Sequence, residues 1–189
     1  MKTSFNPRPL ALAAALALVI GLPGLTSAQV ALHGKPSASQ IVQALQAPQG
    51  ARPKTRGLSL GNSEGPAPEP VEKTTMRAVD LEIPFEFNSA KLSDDGKEIL
   101  VQLGEALNSD SLSGVKSVVL EGHTDAKGNP GYNKVLSLRR AQTVKDFLAQ
   151  KQGVPSSKLK AVGKGSAELA DPKNPEDGIN RRVRVIVDG

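Results

Sequence analysis

Gly122-His123-Thr124-Asp125-Ala126-Lys127-Gly128, followed by Tyr132-Asn133-Lys134-Val135-Leu136-Ser137-Leu138-Arg139-Arg140-Ala141, is the stretch whose reading decides the fold. The first part is the end of a strand running into a polar, glycine-rich loop. The second opens an amphipathic helix whose apolar stripe is interrupted by an arginine. Upstream, Val115 to Glu121 reads as a strand, and its nearly continuous run Val118-Val119-Leu120 suits a strand covered on both faces. Downstream, the helix is expected from about Tyr132 to Gln152, with Gly153 as its C-terminal stop.

Outward from this unit the periodicities continue. Ala78 to Phe87 alternates, with Val79, Leu81, Ile83, Phe85 and Phe87 on one side and Asp80, Glu82 and Glu86 opposite. Period two predicts a strand with one wet face, and Pro84 predicts an edge position or a bulge. Ser93-Asp94-Asp95 supplies a capping hydroxyl and two carboxylates for a positive first turn. Leu92, Ile99, Leu100, Leu103, Ala106 and Leu107 then recur at helical spacing. Lys158 to Gly163 is a short strand, Ser166 to Ile179 a long polar loop, and Arg181 to Val187 a last alternating strand. The fold class is α/β, in the order β-α-β-α-β-β. Both helices pack on one face of a small mixed sheet, whose core must come from Leu, Val and Ile.

Helical geometry directs attention to Arg140. At 100° per residue with Arg140 at zero, Asn133 lies at about +20°, Leu136 at about −40°, Val144 at about +40° and Phe147 at about −20°. The arginine therefore falls on the centre of the apolar stripe, where an unpaired guanidinium is costly to bury. Its partner is either a carboxylate of the chain, with Asp125 the candidate for an internal salt bridge, or loop carbonyls, or a ligand. Asp125 and Arg140 together can meet a zwitterion, the carboxylate accepting from an ammonium and the guanidinium holding a carboxylate as a bidentate fork. Thr124 and the backbone amides near the helix start can complete a carboxylate nest.

Four segments in order, Ile83 to Ala90, Gly122 to Gly128, Tyr132 to Ala141 and Asn180 to Val185, resemble the OmpA-like peptidoglycan-binding domain over roughly the last 110 residues. The resemblance implies non-catalytic binding of peptidoglycan, with Asp125 and Arg140 gripping the diaminopimelate residue of the stem peptide. It implies that Asn133 contacts the ligand, and that the start of the final strand, with Arg181 and Arg182, faces the site; one of these arginines is expected to pair with a carboxylate of the chain, and Arg182 is the candidate for the ligand. Phe87-Asn88 would form the rim, although Phe87 reads equally as core. The alternative is a cell-wall amidase or peptidase. Neither a nucleophile motif nor a closed metal-ligand set is visible, and His123 reads as a structural histidine bonded to the sheet or loop. No cofactor or metal is expected. Gly122, Gly128 and Gly131 read as backbone permissions for the loop.

The N-terminus reads as a secretory signal peptide, residues 1–28. Lys2 and Arg8 precede the apolar run Leu10 to Ile20, and Thr26-Ser27-Ala28 ends in a cleavage site. The run is shorter than the ~20 residues that span a bilayer. Loss of its two basic residues takes the formal net charge from +5 to +3. No cysteine is present to carry a lipid anchor or a disulfide. Residues 29–75 read as a flexible Pro/Gly-rich segment. A short helix is capped by Ser37 or Ser39 and carries Ile41, Val42, Ala44 and Leu45 on its apolar side, and the basic piece Arg52 to Gly57 reads as solvated linker. This segment is a candidate docking site for an envelope protein, and the compact domain is expected at 76–189. Nucleic acid is excluded as a partner by the lack of an aromatic stacking platform. A soluble periplasmic location follows from this reading, with any outer-membrane link supplied by a partner.

Overall fold

The structure, a computed structural model, describes residues 30–46 and 76–189. The expected signal peptide and most of the expected linker lie outside the described residues. Among the described residues five strands and three α-helices follow one another: β1 (Val30–Leu32), α1 (Ala38–Gln46), β2 (Met76–Leu81), α2 (Asp94–Leu107), β3 (Ser117–His123), α3 (Pro130–Lys151), β4 (Leu159–Gly165) and β5 (Val183–Asp188). From β2 onward this is the β-α-β-α-β-β order expected from periodicity. The strands form one mixed sheet in the order β1-β2-β5-β3-β4. The outer pairs β1–β2 and β3–β4 are parallel, and β5 runs antiparallel to both β2 and β3.

Helices cover one face of the sheet. Val79, Leu81, Val118, Leu120, Val183, Val185 and Val187 project into a core closed by Leu100 and Leu103 of α2 and by Val144 and Leu148 of α3. Residues 30–46 belong to this body instead of to a flexible segment. Ile41 and Leu45 of α1 are fully buried in the same core, and β1 adds an edge strand that alternation over three residues is too short to reveal.

The local chemistry explains the element ends. Ser93 caps α2 by accepting from Gly96 N at 3.1 Å, with Asp94 and Asp95 in the first turn. Asn129 caps α3 by accepting from Gly131 N at 2.8 Å and Tyr132 N at 3.2 Å, and Pro130 occupies the first helical position. The helix therefore starts two residues earlier than its apolar pattern, and Gly153 (φ +69°) follows its end. Strand β2 stops at Leu81, well short of Phe87. Pro84 has no N–H for a ladder, and its carbonyl instead accepts from Ser93 N (3.3 Å) and Ser93 Oγ (3.1 Å). A single bridge, Phe85 to Leu92, then closes a tight turn over 86–91.

Two expectations about the sheet faces are corrected. Val119 points to the face without helices and is only half-buried, so β3 is not covered on both sides. Asp80, expected on a wet face, is 6% exposed. The loop after β4 closes over this end of the face, pinned by the fully buried Asn180, whose Nδ2 donates to the carbonyls of Asn174 and Pro175. Beneath it Asp80 accepts from Arg182 Nε at 3.0 Å and from Arg184 Nε at 2.7 Å. Two guanidiniums on one carboxylate satisfy a charge that could not otherwise be buried.

Candidate ligand-binding site

Helix α3 lies directly on the sheet. A Cβ at Gly122 would overlap the carbonyl oxygen of Ser137, and one at Gly163 would come within 2.5 Å of Leu138 N. Gly122 is thus a spacing glycine for helix–sheet contact and not a loop permission. Gly128 (φ +84°) is the glycine that the loop conformation requires. Ser137 Oγ seals the contact, donating to Lys134 O and accepting from Gly165 N at 2.9 Å. The helix face that goes deepest is accordingly Asn133, Ser137, Ala141, Val144 and Leu148. Its centre sits roughly 60° from Arg140 at 100° per residue. Arg140 stands on the margin of the buried stripe, half-buried, at the mouth of a cleft.

The cleft has a volume of about 490 Å³, and Phe85, Arg140, Asp177, Ile179 and Arg181 are part of its lining. Arg140 Nε donates to Ser89 O at 3.0 Å, and its guanidinium carbon lies 4.9 Å from the centre of the Phe85 ring. Among the described residues no carboxylate lies within ion-pair distance of it. Burial, and secondly the Arg181 guanidinium, disfavour its charge, while Tyr132 and Asp125 act the other way. A guanidinium does not give up its proton under such pressure. It remains a half-buried cation resting on an aromatic face, and among the described residues no hydrogen-bond acceptor engages its terminal nitrogens, which leaves them available to an anion.

Asp125 is close by but differently engaged. Its Oδ2 accepts from Arg181 Nη1 at 2.8 Å, and its Oδ1 accepts from Lys127 N at 3.2 Å. The carboxylate is 13% exposed and Arg181 51%. The internal salt bridge therefore exists, but with Arg181 in place of Arg140. Of the two arginines weighed for the site, Arg181 and not Arg182 is the one beside Asp125. Strand parity carried the signal: Val183, Val185 and Val187 face the helices, so Arg182 and Arg184 share the other face opposite Asp80, and Arg181 precedes the strand. Arg182 does reach the cleft wall, but it is 4% exposed and its guanidinium is held by Asp80 and by Glu168 O at 3.3 Å.

The other expected site residues are placed as follows. Asn133 is buried, and its Nδ2 donates to Lys127 O at 2.8 Å and Asp125 O at 3.3 Å, tying the loop to the helix. Thr124 is 3% exposed with its backbone N on Gly165 O at 3.0 Å, and it is not part of the cleft lining. The helix-start amides expected to form a carboxylate nest are taken by Asn129. Phe87 is 99% exposed at the tip of the 86–91 turn and is not core. That turn is anchored by Arg140 through Ser89 O and by Tyr132 Oη, which donates to Asn88 Oδ1 at 2.6 Å. His123 is buried with Nδ1 3.1 Å from Glu168 O, and burial, with Arg182 and Arg184 beside it, lowers its pKa to about 4. It is a neutral histidine joining sheet and loop.

Comparison with known proteins agrees with this architecture. The chain is 37% identical over 149 residues to outer membrane protein A of Shigella flexneri, covering 72% of this chain and 42% of that protein. It is 35% identical over 112 residues to outer membrane porin F of Pseudomonas aeruginosa, covering 58% and 31% respectively. The chain thus spans less than half the length of these curated relatives. Among solved structures, the OmpA-like domain of FopA1 from Francisella tularensis superposes with a TM-score of 0.50 at 25% identity, over 60% of this chain and 73% of that one. The OmpA family model matches residues 84–183, more than half of the chain and the whole span from Phe85 to Arg181 that builds the Arg140 site, and the protein belongs to the OmpA family.

Proposed function

We propose that the protein binds peptidoglycan non-catalytically, through the diaminopimelate residue of the stem peptide, and so fastens itself to the cell wall. The observation that carries this reading is Arg140: a half-buried guanidinium in a cleft wall, held by one carbonyl and one aromatic face, with no carboxylate at ion-pair distance among the described residues. The tip of diaminopimelate carries a carboxylate and an ammonium on one carbon. Arg140, with Arg181 beside it, receives the carboxylate. Asp125, fixed by Arg181 and Lys127 N, has acceptor capacity left on each oxygen for the ammonium. Asn133 acts by holding the Asp125 loop in place, Arg182 by supporting the cleft wall and Phe87 as an exposed rim. Thr124 joins the loop to β4 through its backbone. Lysine at the same point of the peptide lacks the second carboxylate and binds less well.

The names of the relatives, an outer membrane protein and a porin, fit a place in the cell envelope. A periplasmic location with an export signal at 1–28, and an envelope partner bound through 29–75, complete the proposal. Among the described residues no helix is long and apolar enough to cross a membrane. The reading assigns no catalytic step. It is tested by co-sedimentation with purified peptidoglycan. Arg140→Ala and Asp125→Ala should lose binding while keeping a cooperative melt. Retained sedimentation in both variants, or release of soluble muropeptides by the pure protein, contradicts it.

A further inference from the structure

The cleft is larger than the tip of one amino acid. Pockets that enclose a drug-sized ligand run from roughly 300 to 1,000 Å³, and this one, at about 490 Å³, extends beyond Arg140 and Arg181 to His33 and Glu82. Neither of these residues belongs to the 84–183 stretch that matches the family. Their meeting follows from the sheet. The parallel register pairs Leu32 of β1 with Leu81 of β2, so the next residue of each strand is carried out of the sheet alongside the other. His33 Nδ1 donates to Glu82 Oε1 at 3.1 Å, and both side chains keep open faces, 58% and 41% exposed. The cleft wall thus carries the His33–Glu82 pair as well as the guanidiniums of Arg140 and Arg181, with Ile83 and Ile179 also on it.

We propose that the N-terminal strand β1 completes the ligand cleft, and that the His33–Glu82 pair is a second contact station that accepts an N–H of the peptide chain next to the residue gripped at Arg140. This rests on the function proposed above and deepens it: the ligand is read as a peptide of two or three residues and not as a single amino acid. His33 fixes one carboxylate oxygen of Glu82, which orients the other for a donor. The element that brings the station to the cleft is β1, held against the body by its pairing with β2 and by the burial of the following helix.

The test is titration calorimetry of the full chain with two probes, free meso-diaminopimelate and the tripeptide L-Ala-γ-D-Glu-meso-diaminopimelate. The parent should bind the tripeptide about tenfold more tightly than the free amino acid, the size expected for one hydrogen bond to a charged group. Glu82→Gln, which keeps the side-chain shape, and His33→Ala should remove most of that gain and leave affinity for the free amino acid unchanged. Tripeptide binding equal to the parent's in both variants overturns the station. Arg140→Ala separates the two readings. If it loses both probes while Glu82→Gln and His33→Ala bind like the parent, only the station is wrong; if it binds both probes normally, or the parent binds neither, the Arg140 site itself is wrong and the station falls with it.

Discussion

Arg140 and His123 meet buried charge in opposite ways. A guanidinium keeps its proton at any accessible pH, so Arg140 needs partners: a carbonyl, a ring face and, in the proposed function, a ligand carboxylate. An imidazole can give its proton up, and His123 does so, since desolvation and two neighbouring guanidiniums lower its pKa to about 4 from an ordinary value of 6.5. Between those values the unfolded chain holds a proton that the folded chain does not. Stability from this group is therefore complete above pH 6.5 and is lost as the pH falls toward 4, by an amount on the order of 3 kcal/mol across the window. Urea unfolding at a series of pH values should show this slope in the parent and a flatter one in His123→Gln; identical slopes would show that His123 is not the group responsible. Arg140 was legible as a site candidate because it interrupts the apolar pattern of a helix, and Asp125 because it stands on the polar loop just before that helix and matches the family resemblance. The engagement of Asp125 by Arg181 was not, because the pairing joins residues 56 positions apart through a loop with no periodicity.

At the scale of elements, periodicity identified the strands and α-helices from β2 onward and erred where tertiary contact overrides hydrophobicity. The deepest line of α3 is Asn133, Ser137 and Ala141, residues chosen for size, because the helix touches the backbone of Gly122 and Gly163. A pattern search weighted to large apolar residues rotates that face toward Leu136 and Arg140. The same contact makes a prediction. Gly122→Ala should push α3 off the sheet and cost about 3 kcal/mol in denaturant unfolding, at the upper end of overpacking penalties. It should also weaken ligand binding, since Arg140 rides on the displaced helix. A variant as stable as the parent would refute the close approach. Asp80 was misjudged for a related reason: alternation reports which face a side chain takes, and a loop distant in sequence decides whether that face is wet.

For the whole molecule, the family-matched region is not the whole folding unit. Residues 30–46 contribute an edge strand and a helix whose Ile41 and Leu45 are fully buried against the core. Sequence alone undervalued them because one short amphipathic helix and three strand residues lie beside a Pro-rich stretch. Leu45→Ala should cost about 3 kcal/mol, as cavity-forming substitutions in a core do, and lower the melting temperature by roughly 10 °C. A melt unchanged by this substitution would mean that α1 does not dock in solution.

The central claim is that Arg140 is kept partly bare for a ligand carboxylate. A crystal structure of the full chain with the diaminopimelate tripeptide tests it most directly. The account predicts the terminal carboxylate of diaminopimelate within hydrogen-bond distance of both terminal nitrogens of Arg140, with Nε still on Ser89 O and the ammonium on Asp125. A tripeptide bound elsewhere, or one seated in the cleft with its carboxylate away from Arg140, would contradict it.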